Sequence, residues 1–463
     1  MDWLTVLPPL IAITVVLWKK EVILALLIAV FSSELLIAYN DHTNVVFYAF
    51  LGLINRIVTV FSTTSNTRLL IFSLLIGALL AYVRNSGGVT AMVEALVSKG
   101  IAKSKRQVGL VTMFTGMSIF IESNLSVLTA GILSRDLFDK FKMSRARLAF
   151  MIDSTAAPVC ILVLLNGWGA YVLGLLSNYD LGDSTMSVLW GTIPYNFYAI
   201  IALIVVAYTV ITDKVHGPMK ISERELHKFS VKDEDCLKVV IVPPTKARFM
   251  VVPLLSMIFG MFFFMYWTGN GDITQGNGGE SVLYATCSAL VVAYFLLLFN
   301  KRFTHKELVD VGFDGLAELL PLVTIVLFSL TLGASLKELG TGLFIAGVVG
   351  DYLPLVFVVP MLFIAGGIIS FSTGTSWGTF AILIPIGVPL IQTLGLPPSL
   401  VISAILGGGV FGDHCSPISD TTCVSAIASG CDLLEHVKTQ LPYAIFCGVL
   451  ALVGYFIASF IML

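Results

Sequence analysis

Charge is what this sequence has least of. Only 12% of its 463 residues are Asp, Glu, Lys or Arg, where soluble domains carry about 25%. So few charges exclude an ordinary water-soluble globule. The 57% hydrophobic content and the mean hydropathy of +0.93 indicate a polytopic all-α membrane protein. A surplus of positive charge is also missing. The net charge is −2, which excludes the basic footprint of a nucleic-acid binder. The apolar stretches lack strict alternation, which excludes a membrane β-barrel. No CxxC occurs among the seven cysteines. Cys160, Cys287, Cys423 and Cys447 sit in apolar surroundings and read as small buried hydrophobes. Walker loops, nucleophile elbows, catalytic triads and metal-enzyme spacings are absent from the sequence, so neither an enzyme nor a bound cofactor is expected. Met1-Asp2-Trp3 offers no basic n-region or small-residue cleavage site, so the first apolar run is expected to stay as a helix.

What is abundant is long apolar runs. At about 20 residues per crossing, they leave room for about 10 to 13 spans. Leu4–Leu17 and Val22–Ala38 read as a first pair, and Val45–Phe61 as either a span or an interfacial helix. A hydrophilic stretch, Thr212–Arg248, holds eight Lys/Arg and six Asp/Glu. It divides the chain into a membrane half over 1–212, a cytoplasmic linker over 213–248 and a second membrane half over 249–463. Basic loops stay inside. Lys99–Arg106, Arg135–Arg147, Thr212–Arg248 and Asn300–Lys306 are therefore assigned to the cytoplasm, and Gly269–Glu280, with no basic residue, to the outside.

The two halves repeat one another. Ser73–Leu79 resembles Ser329–Ser335, each with a Gly-Ala pair. Downstream, each half has a polar break in an apolar run. The first centres on Glu122-Ser123-Asn124, and the second is Ser370–Thr379, with six hydroxyls in ten residues. Further on, each half has an aspartate followed by hydroxyls and a proline, Asp153-Ser154-Thr155 to Pro158 and Asp413-His414-Cys415-Ser416-Pro417. Matching interrupted segments in two halves are the mark of a secondary transporter with its site near the bilayer midplane.

Residues Gly407–Thr422 concentrate this chemistry. A polar group in hydrocarbon is costly, so the cluster argues for a cavity-lining site. Carboxylates, hydroxyls and carbonyls suit a small hard cation, and half-helix N-termini suit an anion. Ser416-Pro417 reads as a new helix start, leaving Asp413 beside an unwound turn. Asp413 and Asp153 are the first candidates for a Na⁺ or proton carboxylate, against a capping or pairing role. Asp420, His414 and Glu122 follow, with a hydrogen-bonded structural role as the alternative for each. Ser123, Asn124, Ser154, Thr155, Thr373, Thr375 and Ser376 are candidate coordinating groups, although a membrane Ser or Thr often bonds its own helix. Gly366-Gly367 and Gly407–Gly409 read equally as hinges or close packing. Glu34, Arg56, Arg84, Glu318 and Asp351 are placed at span ends, where snorkelling is ordinary.

The stretch G-D-H-C-S-P-I-S-D-T-T, Gly412 to Thr422, resembles the signature of the NhaC-type Na⁺/H⁺ antiporters of the ion transporter superfamily. The Asp153-Ser154-Thr155 and Ser123-Asn124 segments are similar to that family as well. The resemblance implies inverted-topology repeats with broken helices, two re-entrant hairpins, a homodimer and a bacterial inner-membrane location. It implies a second-half site at Asp413, Ser416, Asp420, Thr421 and Thr422, and a first-half site at Ser123, Asn124, Asp153 and Ser154. Sodium is expected near Asp153, Asn124, Asp413 and Ser376, as transported or coupling ion. Membrane lipid, Na⁺ and H⁺ are the expected partners. The leading expectation is Na⁺/H⁺ exchange, with Na⁺ and H⁺ competing for buried carboxylate. The alternative is Na⁺-coupled symport or antiport of a small carboxylate or amino acid.

Overall fold

The structure is a computed structural model that describes residues 2–41, 44–91, 104–120, 123–164, 166–176, 179–182, 184–225, 243–272 and 276–463. Every regular element among them is helical. After a 3₁₀ turn come α1 (Leu7–Lys19), α2 (Val22–Asp41), α3 (Val45–Ser62) and α4 (Thr64–Asn85). Next are α5 (Lys105–Ser118), α6 (Ser123–Lys140), α7 (Arg145–Leu162), α8 (Gly167–Leu176), α9 (Thr185–Gly191), α10 (Phe197–Thr212) and α11 (Gly217–Arg224). The second half holds α12 (Arg248–Thr268), α13 (Gly278–Phe299), α14 (His305–Leu339), α15 (Thr341–Tyr352), α16 (Val358–Thr373), α17 (Ser376–Leu394), α18 (Pro398–Cys415), α19 (Asp420–Ser429) and α20 (Leu433–Met462). Ten helices among the described residues are long and apolar enough to cross a membrane, α3 included.

The repeat seen in the sequence is inverted in space. Helices α4 and α14 carry the matching Gly-Ala segments and pack antiparallel. The end of α4 meets the start of α14, with Tyr82 OH donating to the Leu308 carbonyl at 2.9 Å and Arg84 pairing with Glu318 at 2.6 Å. Midway they touch backbone to backbone. A Cβ on Gly77 would lie 2.2 Å from the Gly315 carbonyl oxygen, so only glycine fits.

Each repeat then forms a hairpin, α5–α6 or α16–α17, followed by a broken helix, α7–α8 or α18–α19. In both halves the hairpin tip rests on that break. The Phe120 carbonyl accepts from Asn166 Nδ2 at 2.8 Å. The Gly374 carbonyl accepts from the Asp420 amide at 3.4 Å, and Ser416 Oγ donates to the Phe371 carbonyl at 2.7 Å. Gly374 allows the tight tip through its positive φ of 68°. The glycine pairs serve close packing here. A Cβ on Gly408 would lie 2.4 Å from the Phe363 carbonyl oxygen, and one on Gly412 2.2 Å from that of Gly367.

Of the charged residues placed at span ends, Arg84, Glu318 and Asp351 stay exposed, whereas Glu34 and Arg56 are drawn inward, where burial demands partners. Glu34 is buried and bonds Arg56 and Ser335, each at 2.8 Å. Arg56 also reaches Glu338 at 2.5 Å. Buried Arg147 on α7 pairs with Asp213 at 2.7 Å and Glu223 at 3.4 Å, and donates to the Thr209 carbonyl at 2.9 Å. The hydrophilic stretch thus begins with an ordered helix, α11, held to α7 and α10. The six cysteines among the described residues are all free.

The sidedness assigned from charge is open to a direct check. In intact cells a membrane-impermeant maleimide should label a cysteine introduced by Asp272→Cys and spare native Cys236, with Cys236 reacting only after permeabilisation. The reverse pattern would invert the topology.

Candidate functional site

Helix α18 runs on to Cys415, and the chain is extended at Ser416, the C-cap. The next helix starts at Asp420, where the Ser419 hydroxyl accepts from the Thr422 amide at 3.3 Å. This corrects the helix start expected at Ser416-Pro417. Ser419 has the extended backbone and the free oxygen a cap needs, while Ser416 spends its hydroxyl on the hairpin tip. Asp413 therefore lies in the last turn of α18. Asp153 does not lie at a break. It sits inside the continuous α7, so the two aspartates occupy different places in their repeats.

They nevertheless converge, and both are buried. Asp413 Oδ2 accepts from Ser376 Oγ at 3.1 Å and Thr421 Oγ1 at 3.3 Å. The Ser419 side chain bonds it as well. Ser376 opens α17, so the hairpin tip delivers its hydroxyl to the end of α18. Asp153 Oδ2 accepts from Gln440 Nε2 at 2.6 Å and Thr422 Oγ1 at 3.4 Å. His436 Nε2 stands 3.4 Å from the same oxygen. Thr422 links the aspartates, because its Oγ1 is also 3.4 Å from the Asp413 backbone carbonyl. The second carboxylate oxygen of each, Asp153 Oδ1 and Asp413 Oδ1, is buried without a protein partner. A buried carboxylate so placed needs a proton or a cation to offset its desolvation.

Asp420 is exposed at the start of α19 and bonds Asn124 at the start of α6. The first hairpin thus reaches the second-half site. Ser123 and Ser154 are buried nearby on α6 and α7. His414 Nδ1 faces Tyr198 OH at 2.9 Å, and its carbonyl accepts from Gln440 at 3.0 Å.

Several expected ligands turn elsewhere. Thr155 Oγ1 donates to the Met151 carbonyl at 2.8 Å and Thr373 Oγ1 to that of Ile369 at 2.9 Å, each within its own helix. Thr375 takes the N-cap position of α17 without a capping side-chain bond. Glu122 lies outside the described residues. No group of three or more His, Cys, Asp or Glu with metal-holding geometry occurs among the described residues. An ion here would draw on hydroxyls and carbonyls as well as carboxylate.

Sequence reasoning missed His436, Gln440, Ser419 and Tyr198. A signal was present for two of them. His436, Thr439 and Gln440 share one face at i, i+3, i+4 spacing, but they precede the last apolar run, which reads from Tyr443 to Leu463 in the sequence.

A family model described as the Na⁺/H⁺ antiporter family matches residues 159–460. An uncharacterised protein of Haemophilus influenzae is 28% identical over 98% of this chain and 91% of that protein. A malate-2H⁺/Na⁺-lactate antiporter of Bacillus subtilis is 32% identical over 37% of each chain. Among solved structures, the Neisseria gonorrhoeae MtrF transporter superimposes with a TM-score of 0.60 over 89% of this chain and 85% of its own, at 14% identity. That likeness establishes the fold alone, a bundle of membrane-spanning helices. The match covers the second hairpin, the α18–α19 break and the His436–Gln440 face, so the chain belongs to the Na⁺/H⁺ antiporter family.

Proposed function

We propose that this protein exchanges Na⁺ for H⁺ at the site joining the end of α18, the break before α19, the tip of α16–α17 and the middle of α7. The observation that carries the reading is the pair of buried aspartates, each with one oxygen lacking a protein partner. Sodium takes oxygen ligands, and Asp413, Ser376, Thr421 and Ser419 supply them. Neutralisation of the buried charge by either cation favours movement of the occupied site, while the empty charged site is held back by its desolvation cost. That asymmetry yields exchange rather than leak. Asn124 and exposed Asp420 stand at the approach. The hairpins, α7 and α18–α19 form the transport unit, and α4 with α14 the scaffold.

A second reading has its own observation. A cavity of about 630 Å³ lies between α14 and α17, within the size range of small-molecule sites. Lys337, Tyr179, Thr341 and Gln392 line it together with Asp180. This fits a small organic acid coupled to Na⁺, as the name of the Bacillus subtilis relative suggests for that protein.

In proteoliposomes with imposed Na⁺ and pH gradients, Asp413→Asn and Asp153→Asn should each lower exchange by about 100-fold or more, since each removes the charge on which counter-ion competition depends. Asp413→Asn exchange at the parental rate would refute the reading. Thr155→Val should retain exchange within about twofold, because its hydroxyl bonds only its own helix. Malate, lactate and arginine added to the same vesicles should leave the Na⁺ flux unchanged. A stimulated flux, lost in Lys337→Ala, would establish the organic-acid reading instead.

A further inference from the structure

The two buried aspartates do not have the same neighbours. Asp413 faces oxygen atoms. Ser376, Thr421 and Ser419 present hydroxyls to it, and a hydroxyl can turn its proton away and offer a lone pair to a cation. Asp153 faces nitrogen and a single hydroxyl, that of Thr422 at 3.4 Å. Its Oδ2 is approached by the Gln440 amide, which donates at 2.6 Å, and by His436 Nε2 at 3.4 Å. An amide N–H cannot ligate Na⁺, whereas an imidazole beside a carboxylate is suited to holding and passing a proton. His436 is fully buried on α20, and its Nδ1 has no protein partner.

The surrounding charges support this division. His436 faces Asp153 on α7 at 3.4 Å and interacts electrostatically with His414 on α18. Asp413 and Asp420 act on Asp153 from α18 and α19. On α20 itself, Glu435 interacts with Lys438, Asp432 and Glu225 of the linker. His436 is thus the titratable group that α20 presents to Asp153, beside the neutral amide of Gln440.

We propose that the site has two stations, with Na⁺ held at Asp413–Ser376–Thr421 and the exchanged proton shared between Asp153 and His436. Thr422 couples them. Its hydroxyl, 3.4 Å from both Asp153 Oδ2 and the Asp413 carbonyl, donates to only one at a time. With Asp153 ionised the hydroxyl turns to it. Once Asp153 and His436 hold the proton, the hydroxyl is released to the Asp413 carbonyl, so the state of Asp153 is felt at the end of α18 that carries the sodium station. The proton is transferred between carboxylate and imidazole without any bond to carbon changing, and Na⁺ leaves as a whole ion. His436 is a proton-sharing partner of Asp153, and Gln440 a positioning residue that fixes the carboxylate.

This division rests on the Na⁺/H⁺ reading, and one experiment separates the two. Sodium affinity of the purified full-length protein is followed by Na⁺-dependent thermal stabilisation from about pH 6 to 9, a range spanning histidine titration. Exchange is measured in proteoliposomes in parallel. The parent should bind Na⁺ about tenfold or more weakly at the acid end, as linked binding requires. His436→Gln and Asp153→Asn should keep alkaline Na⁺ affinity within about threefold and lose most of its pH dependence, because the coupled proton site is gone. Asp413→Asn should lose Na⁺ stabilisation at every pH. Melting without Na⁺ checks folding, with His436→Asn as the second variant should the glutamine form fail. The two-station assignment is overturned if Asp153→Asn loses Na⁺ binding as Asp413→Asn does, or if His436→Gln keeps the full pH slope. Absence of Na⁺ binding and exchange in the parent itself would instead overturn the underlying reading.

Discussion

The structure turns on burying carboxylate. Asp153 and Asp413 lie in an apolar bundle where an unpaired charge is among the costliest groups a protein can hold. Among the described residues no arginine or lysine forms an ion pair with them, although other buried charges are paired: Glu34 with Arg56, and Arg147 with Asp213 and Glu223. Hydroxyls, an amide and an imidazole are what the fold supplies. Such partners share a proton or help ligate an ion without fixing either in place, so the site is built for release as much as for binding.

Reaching that arrangement takes unusually close backbone approach. Gly408 and Gly412 let α16 lie against α18 with no side chain between them, and this closeness brings the hairpin tip to the end of α18. From there Ser376 reaches Asp413. A leucine at either glycine would displace the tip before touching any site residue. The glycine run beside the signature is therefore the means by which the hydroxyl arrives.

Much of this was legible in the sequence. Low charge, long apolar runs and a repeat with matching polar breaks give the helical transporter class, because bilayer thickness and desolvation act on every residue in the same way. The Gly412–Thr422 stretch marked the site because polar residues so dense have no other use at such a position. What stayed hidden depends on three-dimensional arrangement. The helix start at Asp420 was obscured because Ser416-Pro417 and Ser419 carry the same capping chemistry, and only packing chooses between them. The matched motifs at Asp153 and Asp413 suggested equivalent positions, yet one aspartate is mid-helix and the other terminal. His436 and Gln440 lie far along the chain, on a helix whose start looked extramembranous.

The Gly77–Gly315 contact between α4 and α14 has a mechanical consequence. Two helices in backbone contact have no layer of side chains on which to slide, and the bond from Tyr82 OH to the Leu308 carbonyl ties the end of α4 to the start of α14 as well. They form a strut that resists shear. The second hairpin meets the same α14 directly, where Ser329 Oγ donates to the Ala381 carbonyl at 2.6 Å, and, towards the far end of α17, across a cavity of about 630 Å³. The backbone-tight face of α14 is the one turned to α4, and the void lies on the face turned to the far end of the helix that Ser376 opens.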